Sequence, residues 1–203
     1  THAAILGARA SFIGGCSGTA CTIAEKRYGV PAVGTMAHSW VQMFDDEYDA
    51  FKTYCDIYPN NAILLFDTYN VLKNGVPNAI RAFKNSGITK GGIRIDSGDI
   101  TYLSLRARQM LDEAGLKDIK ISASNSLDEY IIRDILQQGA KIDFFGVGER
   151  LVTSKSDPVF GGVYKLVAVE DNVGKIIPKI KISENTTKIT NPGFKKVLRI
   201  YEN

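Results

Sequence analysis

His38, Asp67, Arg94 and Asp96 are the side chains best suited to chemistry, because each falls at or near the end of a short apolar run. A neutral imidazole serves as a base or as a nucleophile towards a phosphoryl group, and a neighbouring carboxylate fixes which nitrogen carries the proton. His38 is the histidine placed for that work, since His2 sits at the start of the chain, and Asp67 is the carboxylate best placed to pair with it. Arg94 and Asp96 stand two residues apart, so on a strand both project to one face. Opposite charges on one buried face call for a reason. One is a structural ion pair. The other is an arginine that grips a carboxylate or phosphate in bidentate fashion, beside an aspartate that holds a sugar diol. Asp99 reads equally as a metal-linked carboxylate or as the cap of the helix that follows it.

Two glycine loops add anion-binding capacity. Gly146-Val147-Gly148 follows an apolar run and can turn consecutive N–H groups towards a phosphate, with Thr153, Ser154 and Lys155 as further donors. Gly14-Gly15-Cys16-Ser17-Gly18-Thr19 leads into a helical pattern and offers a second such loop. Both patterns also serve ordinary tight turns.

These residues need a scaffold that brings them together. Apolar runs at Pro31–Gly34, Ala62–Phe66, Gly92–Ile95, Ile119–Ser122 and Ile142–Phe145 read as buried parallel strands, apolar throughout because both faces are covered. Helical patterns lie around and between them, at Thr19–Tyr28, Val41–Tyr58, Pro77–Lys84, Asp99–Ala114 and Leu127–Gln138. Gly29, Gly87, Gly115 and Gly139 stop four of them, and Asn125 or Ser126 is expected to cap the last. Strand–helix alternation of this kind predicts an α/β fold with a parallel sheet, a segment of an irregular TIM-like barrel over residues 1–158. From Val159 the pattern turns to alternation, with turns at Gly161-Gly162 and Asn191-Pro192-Gly193, so residues 159–203 are expected to form an antiparallel β appendage. The carboxyl ends of parallel strands form the working rim of such folds. Polar clusters fall there after all five runs: Thr35 to Trp40, Asp67 to Asn70, Asp96 to Asp99, Ala123 to Ser126, and Gly146 to Arg150.

The bulk numbers set limits. The 203 residues are 44% hydrophobic and 23% charged, ordinary for a globular chain. A net charge of +3 gives no basis for nucleic-acid binding, and no run approaches the roughly 20 apolar residues of a membrane span. Lys175, Lys179, Lys181, Lys188, Lys195, Lys196 and Arg199 accumulate near the end and read as a solvated face. Three cysteines without metal-type spacing fit a reducing cytoplasm. Both ends read as cut from a longer protein.

The same residues, in order, resemble the nicotinate phosphoribosyltransferase family. The resemblance rests on Ile13-Gly14-Gly15 with Gly18-Thr19, on Gly34-Thr35-Met36-Ala37-His38-Ser39-Trp40, on Arg94-Ile95-Asp96-Ser97-Gly98-Asp99 and on Phe145 to Thr153. It implies an irregular α/β barrel joined to a second domain, with the family's amino-terminal domain lacking a counterpart here. It implies that ATP, a co-substrate, transiently phosphorylates His38, which Asp67 orients. Arg94 would meet the pyridine ligand, Asp96 the ribose hydroxyls, and Gly146 with Gly148 the 5-phosphate. Thr19, Ser97 and Gly98 would complete the substrate contacts, with Asp99 near the Mg2+ that accompanies phosphoribosyl pyrophosphate. Nicotinate and phosphoribosyl pyrophosphate would be the substrates, and the enzyme a homodimer in NAD biosynthesis. Two alternatives stand beside this: a nicotinamide phosphoribosyltransferase, and an inactive fragment that acts only in assembly with partner chains.

Overall fold

The computed structural model describes residues 2–159, 164–180 and 191–201. The chain divides into two compact units, Thr1–Pro158 and Val159–Asn203.

The first unit is built on four short parallel strands, β1 (Ile63–Leu65), β2 (Gly92–Ile95), β3 (Lys120–Ala123) and β4 (Phe144–Phe145), in the spatial order β1-β2-β3-β4. Leu64 lies beside Ile93, and Ile93 beside Ile121, so the register stacks apolar side chains across the sheet. Leu64, Leu65, Ile93, Ile95 and Ile121 are fully buried, as a sheet covered on both faces demands. The sheet is open: among the described residues it does not close into the expected barrel.

Helices cover this sheet. In α5 (Val76–Asn85), Val76, Ala79, Ala82 and Phe83 fall on one stripe and are fully buried, with Pro77 in the first turn where its missing N–H costs nothing. In α6 (Ile100–Glu113) the buried stripe is Ser104, Ala107 and Leu111. Ser104 is tolerated there because its hydroxyl donates to Thr101 O at 2.9 Å and accepts the Lys141 N–H at 3.0 Å. Phe51, Phe66 and Phe83 lie fully inside, each stabilising the fold by roughly 1.5–3 kcal/mol relative to exposure. A smaller apolar cluster, Ile5, Ala8, Ala24 and Val30, joins α1 (His2–Ile13) to α2 (Thr22–Tyr28). No helix of the described residues is long and apolar enough to cross a membrane.

Three expectations are corrected. Pro31–Gly34 is not a strand: among the described residues only the Thr19 backbone pairs with it, donating to Pro31 O and accepting from the Val33 N–H, both at 2.9 Å, in an isolated parallel bridge, while the Ala32 N–H donates to Glu25 Oε1 at 3.1 Å. Gly18 permits that approach, since a Cβ there would lie 2.7 Å from Pro31 O. The helix expected over Val41–Tyr58 is two, α3 (His38–Gln42) and α4 (Glu47–Ile57), because the Asp46 carboxylate takes the Tyr48 N–H and starts a new helix. The cap of α7 (Glu129–Gln137) is Asp128, whose carboxylate accepts from the Ile131 N–H at 2.9 Å, not Asn125 or Ser126. The glycine stops hold, with positive φ at Gly29, Gly87, Gly115 and Gly139.

In the second unit, β5 (Ala168–Glu170) and β6 (Ile176–Pro178) pair antiparallel. Their turn is organised by Asp171, whose Oδ1 accepts the N–H groups of Val173 and Lys175. Gly161, Gly162, Lys181 and Lys188 lie outside the described residues.

Candidate active site

The functional side chains arrive from the carboxyl ends of three strands and one helix start. Asp67 and Thr68 come two and three residues after β1, Arg94 lies in β2 with Asp96 and Ser97 just beyond it, and Ser124 follows β3. His38 opens α3. Trp40, two residues on, packs against Phe44 and Tyr54 and donates its indole N–H to Ala50 O at 3.1 Å, which fastens this short helix to α4.

The imidazole of His38 sits among three oxygens. Its Nδ1 lies 3.1 Å from Thr68 Oγ1. Its Nε2 faces Asp96 Oδ2 at 3.6 Å and Asp67 Oδ1 at 3.9 Å, within ion-pair range but beyond hydrogen-bond length. The ring is about two-fifths exposed and Asp67 is buried, so the nitrogen that meets the acids stands at a boundary between solvent and core. Asp67 Oδ2 accepts the Asp96 N–H at 2.9 Å and the Ser97 hydroxyl at 2.5 Å, whereas Oδ1 is buried with no hydrogen-bond partner. Asp96 Oδ1 accepts from the Ser124 hydroxyl, which leaves Oδ2 to the ring. Hydroxyls thus engage the far side of His38, Asp67 and Asp96, and their remaining polar atoms converge on one point.

Arg94 does not pair with Asp96. Its Nη1 donates to Thr35 Oγ1, while its buried Nε lacks a partner among the described residues. The structural ion pair is therefore not what holds this arginine. An orphaned guanidinium nitrogen at a strand end suits an anionic ligand.

The glycine loops are less open than their sequences imply. The Gly146 N–H donates to Ala123 O at 2.8 Å, so Val147 and Gly148 are the amides of that loop without an acceptor among the described residues. In the first loop, Gly14, Gly15 and Cys16 return their N–H groups to Ala10, Phe12 and Ser11 at the end of α1, and Thr19 Oγ1 takes the Cys21 N–H. That loop closes a helix, which leaves Ser17 and Gly18 as its amides without an acceptor among the described residues. Asp99 caps α6 through the Tyr102 N–H. Among the described residues no three His, Cys, Asp or Glu side chains converge to hold a metal.

Arg150 pairs with Asp128 and ties α8 (Glu149–Val152) to the cap of α7. The Ile131 N–H first, and then Arg150, hold the Asp128 carboxyl below its usual range. Two cavities, of about 250 and 360 Å³, are lined by Asp128 with Arg150 and by Glu47 with Tyr69. Neither includes His38, whose cluster lies open on the rim. Thr35, Thr68 and Ser124 have partner roles that their sequence positions did not announce beyond a hydroxyl at a strand end.

No protein-family model matches the chain. Comparison with curated proteins finds 52% identity over 200 residues to the nicotinate phosphoribosyltransferase of Bacillus subtilis, covering 98% of this chain and 40% of that protein. The nicotinate phosphoribosyltransferase of Dictyostelium discoideum is 33% identical, covering 98% of this chain and 41% of its own. Among solved structures, a Pyrococcus furiosus protein described as a nicotinate-nucleotide pyrophosphorylase is 29% identical with a TM-score of 0.65, covering 75% of this chain and 39% of that one. The human nicotinic acid phosphoribosyltransferase shares the fold, with a TM-score of 0.62 at 23% identity over 70% of this chain and 39% of its own. The chain spans about two-fifths of the length of the curated relatives it matches. By sequence, the chain belongs with the nicotinate phosphoribosyltransferases, over nearly all of its own length and about two-fifths of theirs.

Proposed function

We propose that this chain carries the histidine half of an ATP-coupled nicotinate phosphoribosyltransferase, forming nicotinate mononucleotide from nicotinate and phosphoribosyl pyrophosphate. The observation that carries the reading is His38 with both Asp67 and Asp96 at its Nε2, in a chain 52% identical to an enzyme of that name.

A ring nitrogen of His38 attacks the terminal phosphorus of ATP, the bond to the bridging oxygen breaks, and ADP leaves. The imidazolium character that develops is stabilised by the two carboxylates, as an aspartate does for a catalytic histidine elsewhere. In the sugar step the anomeric carbon loses pyrophosphate through a cation-like state, and the pyridine nitrogen captures it. Asp96 would bind the ribose hydroxyls, Arg94 the carboxylate of nicotinate, and the Val147–Gly148 amides the 5-phosphate. Magnesium, travelling with the pyrophosphate group, offsets its charge. Hydrolysis of the phosphohistidine then returns His38 to its starting state.

The test is labelling with ATP that carries a radioactive γ-phosphate. An acid-labile label on the chain, lost in His38→Ala with the fold intact by circular dichroism, is the expected result. Label retained by His38→Ala would overturn the phosphohistidine role. Product assays with nicotinate and with nicotinamide then separate the two enzyme readings.

A further inference from the structure

Asp67 is the residue expected to orient His38, yet the nearest partner of the ring is another side chain. Thr68 Oγ1 lies 3.1 Å from Nδ1, closer than either carboxylate is to Nε2. We propose that Thr68 is the positioning residue of His38: it holds the ring so that Nε2 faces Asp67 and Asp96, and these acids then keep the proton on Nε2.

The argument has two steps. A threonine hydroxyl can donate or accept, so by itself it selects no tautomer. What it selects is the orientation of the ring, because among the described residues Nδ1 has no other polar partner. Once Nε2 is turned towards Asp67 Oδ1 and Asp96 Oδ2, the charges decide. A lone pair facing two carboxylate oxygens is repelled, and an N–H is attracted. Nδ1 then holds the lone pair and the Thr68 hydroxyl donates to it. Asp67 Oδ1, buried and without a hydrogen-bond partner, gains the nearby dipole it otherwise lacks. Thr68 sits directly after Asp67, so one strand end supplies both the group that aims the ring and one of the acids that reads it.

The consequence for turnover rests on the phosphohistidine function proposed above. The ring state does not, and it can be read without turnover. Two-bond 1H–15N correlation spectra distinguish the imidazole tautomers, and this chain has only two histidines, which a His2→Gln variant assigns. At pH 9, well above the ordinary imidazole value of about 6.5, wild type should show His38 protonated on Nε2. Thr68→Ser should match it. Thr68→Val, and Thr68→Ala as the smaller change, should lower the ratio of Nε2–H to Nδ1–H by up to about tenfold, the scale of one net hydrogen bond. Wild type protonated on Nδ1 overturns the proposal whether or not any variant folds. So does an unchanged ratio in a folded Thr68→Val or Thr68→Ala protein. If ATP fails to label His38 while these spectra behave as expected, the ATP coupling falls and the positioning role stands.

Discussion

The Ser97 hydroxyl donates to Asp67 Oδ2 at 2.5 Å, and the same oxygen accepts the Asp96 N–H at 2.9 Å. One buried carboxylate after β1 therefore fastens the turn after β2, and that turn carries the second acid beside His38. Asp67→Ala removes the acceptor of the half-buried Asp96 N–H, whose loss costs roughly 1–3 kcal/mol, while the exposed Ser97 hydroxyl can turn to water. Loss of about 2 kcal/mol or more, read from the urea midpoint, is expected. Asp67→Asn keeps an acceptor and should lose less than half of that, while removing the charge that Nε2 faces. An Asp67→Ala protein as stable as the parent would show that the clamp is not structural.

Gly75 gives a sharper structural test. A Cβ at this position would lie 1.9 Å from Phe66 O, against the backbone that leads from β1 to Asp67. Gly75→Ala must push that backbone aside, and overpacking against a rigid group costs about 3 kcal/mol or more. Gly34→Ala is the control, since its Cβ would meet nothing within 4 Å. Thermal unfolding should separate the two variants clearly. Equal melting temperatures would mean that the residues 71–75 turn yields where the fold suggests it cannot.

The sheet could be read from the chain because Leu64 and Leu65, neighbours on opposite faces of β1, are both apolar and fully buried, and only cover on both sides accounts for that. The rim could be read for the same reason: polar residues directly after such runs have one place to go. Pro31–Gly34 misleads because an apolar run need not be covered: Val33 is 54% exposed, and among the described residues no strand lies beside the run. Only the Thr19 backbone pairs with it. The break between α3 and α4 turns on whether Asp46 faces solvent or takes the Tyr48 N–H, a choice between local and helical hydrogen bonds that composition leaves open. The Gly14–Cys16 loop shows a similar limit. Its amides suit a phosphate or the end of α1 equally well, and the path of the chain decides for α1. Asp67 and Thr68 are neighbours, so which of them meets Nδ1 depends on a turn at a strand end.

The cysteines should divide by burial. Cys16 is exposed, Cys21 half-buried and Cys55 buried in the main core. Burial first, and then the charge of Asp56, push the Cys55 thiol up to about 11. A thiol-specific reagent at pH 8 should modify Cys16 rapidly and Cys55 only on unfolding, because the thiolate is the reactive form. Mass spectrometry of peptides from the native protein reads this directly. Labelling of Cys55 at the rate of Cys16 would mean that the face of α4 opens in the folded state.

Glu47 makes stability fall as pH rises. Its residue is only 6% exposed, Oε1 has no hydrogen-bond partner, and Oε2 accepts from Asn78 Nδ2 at 3.0 Å. Burial raises the pKa of its carboxyl, partly countered by the Asn78 bond and reinforced by neighbouring Asp46. Between the unfolded value, about 4.3, and the raised folded value, the native state holds the proton more tightly than the unfolded chain does. Stability from this group is therefore greatest on the acid side and declines as pH rises through the folded value. Glu47→Gln cannot ionise, so its stability relative to the parent should improve from pH 4 to pH 8. Paired urea titrations across that range measure the difference. A difference that stays constant with pH would show that Glu47 titrates in the fold as it does in the open chain.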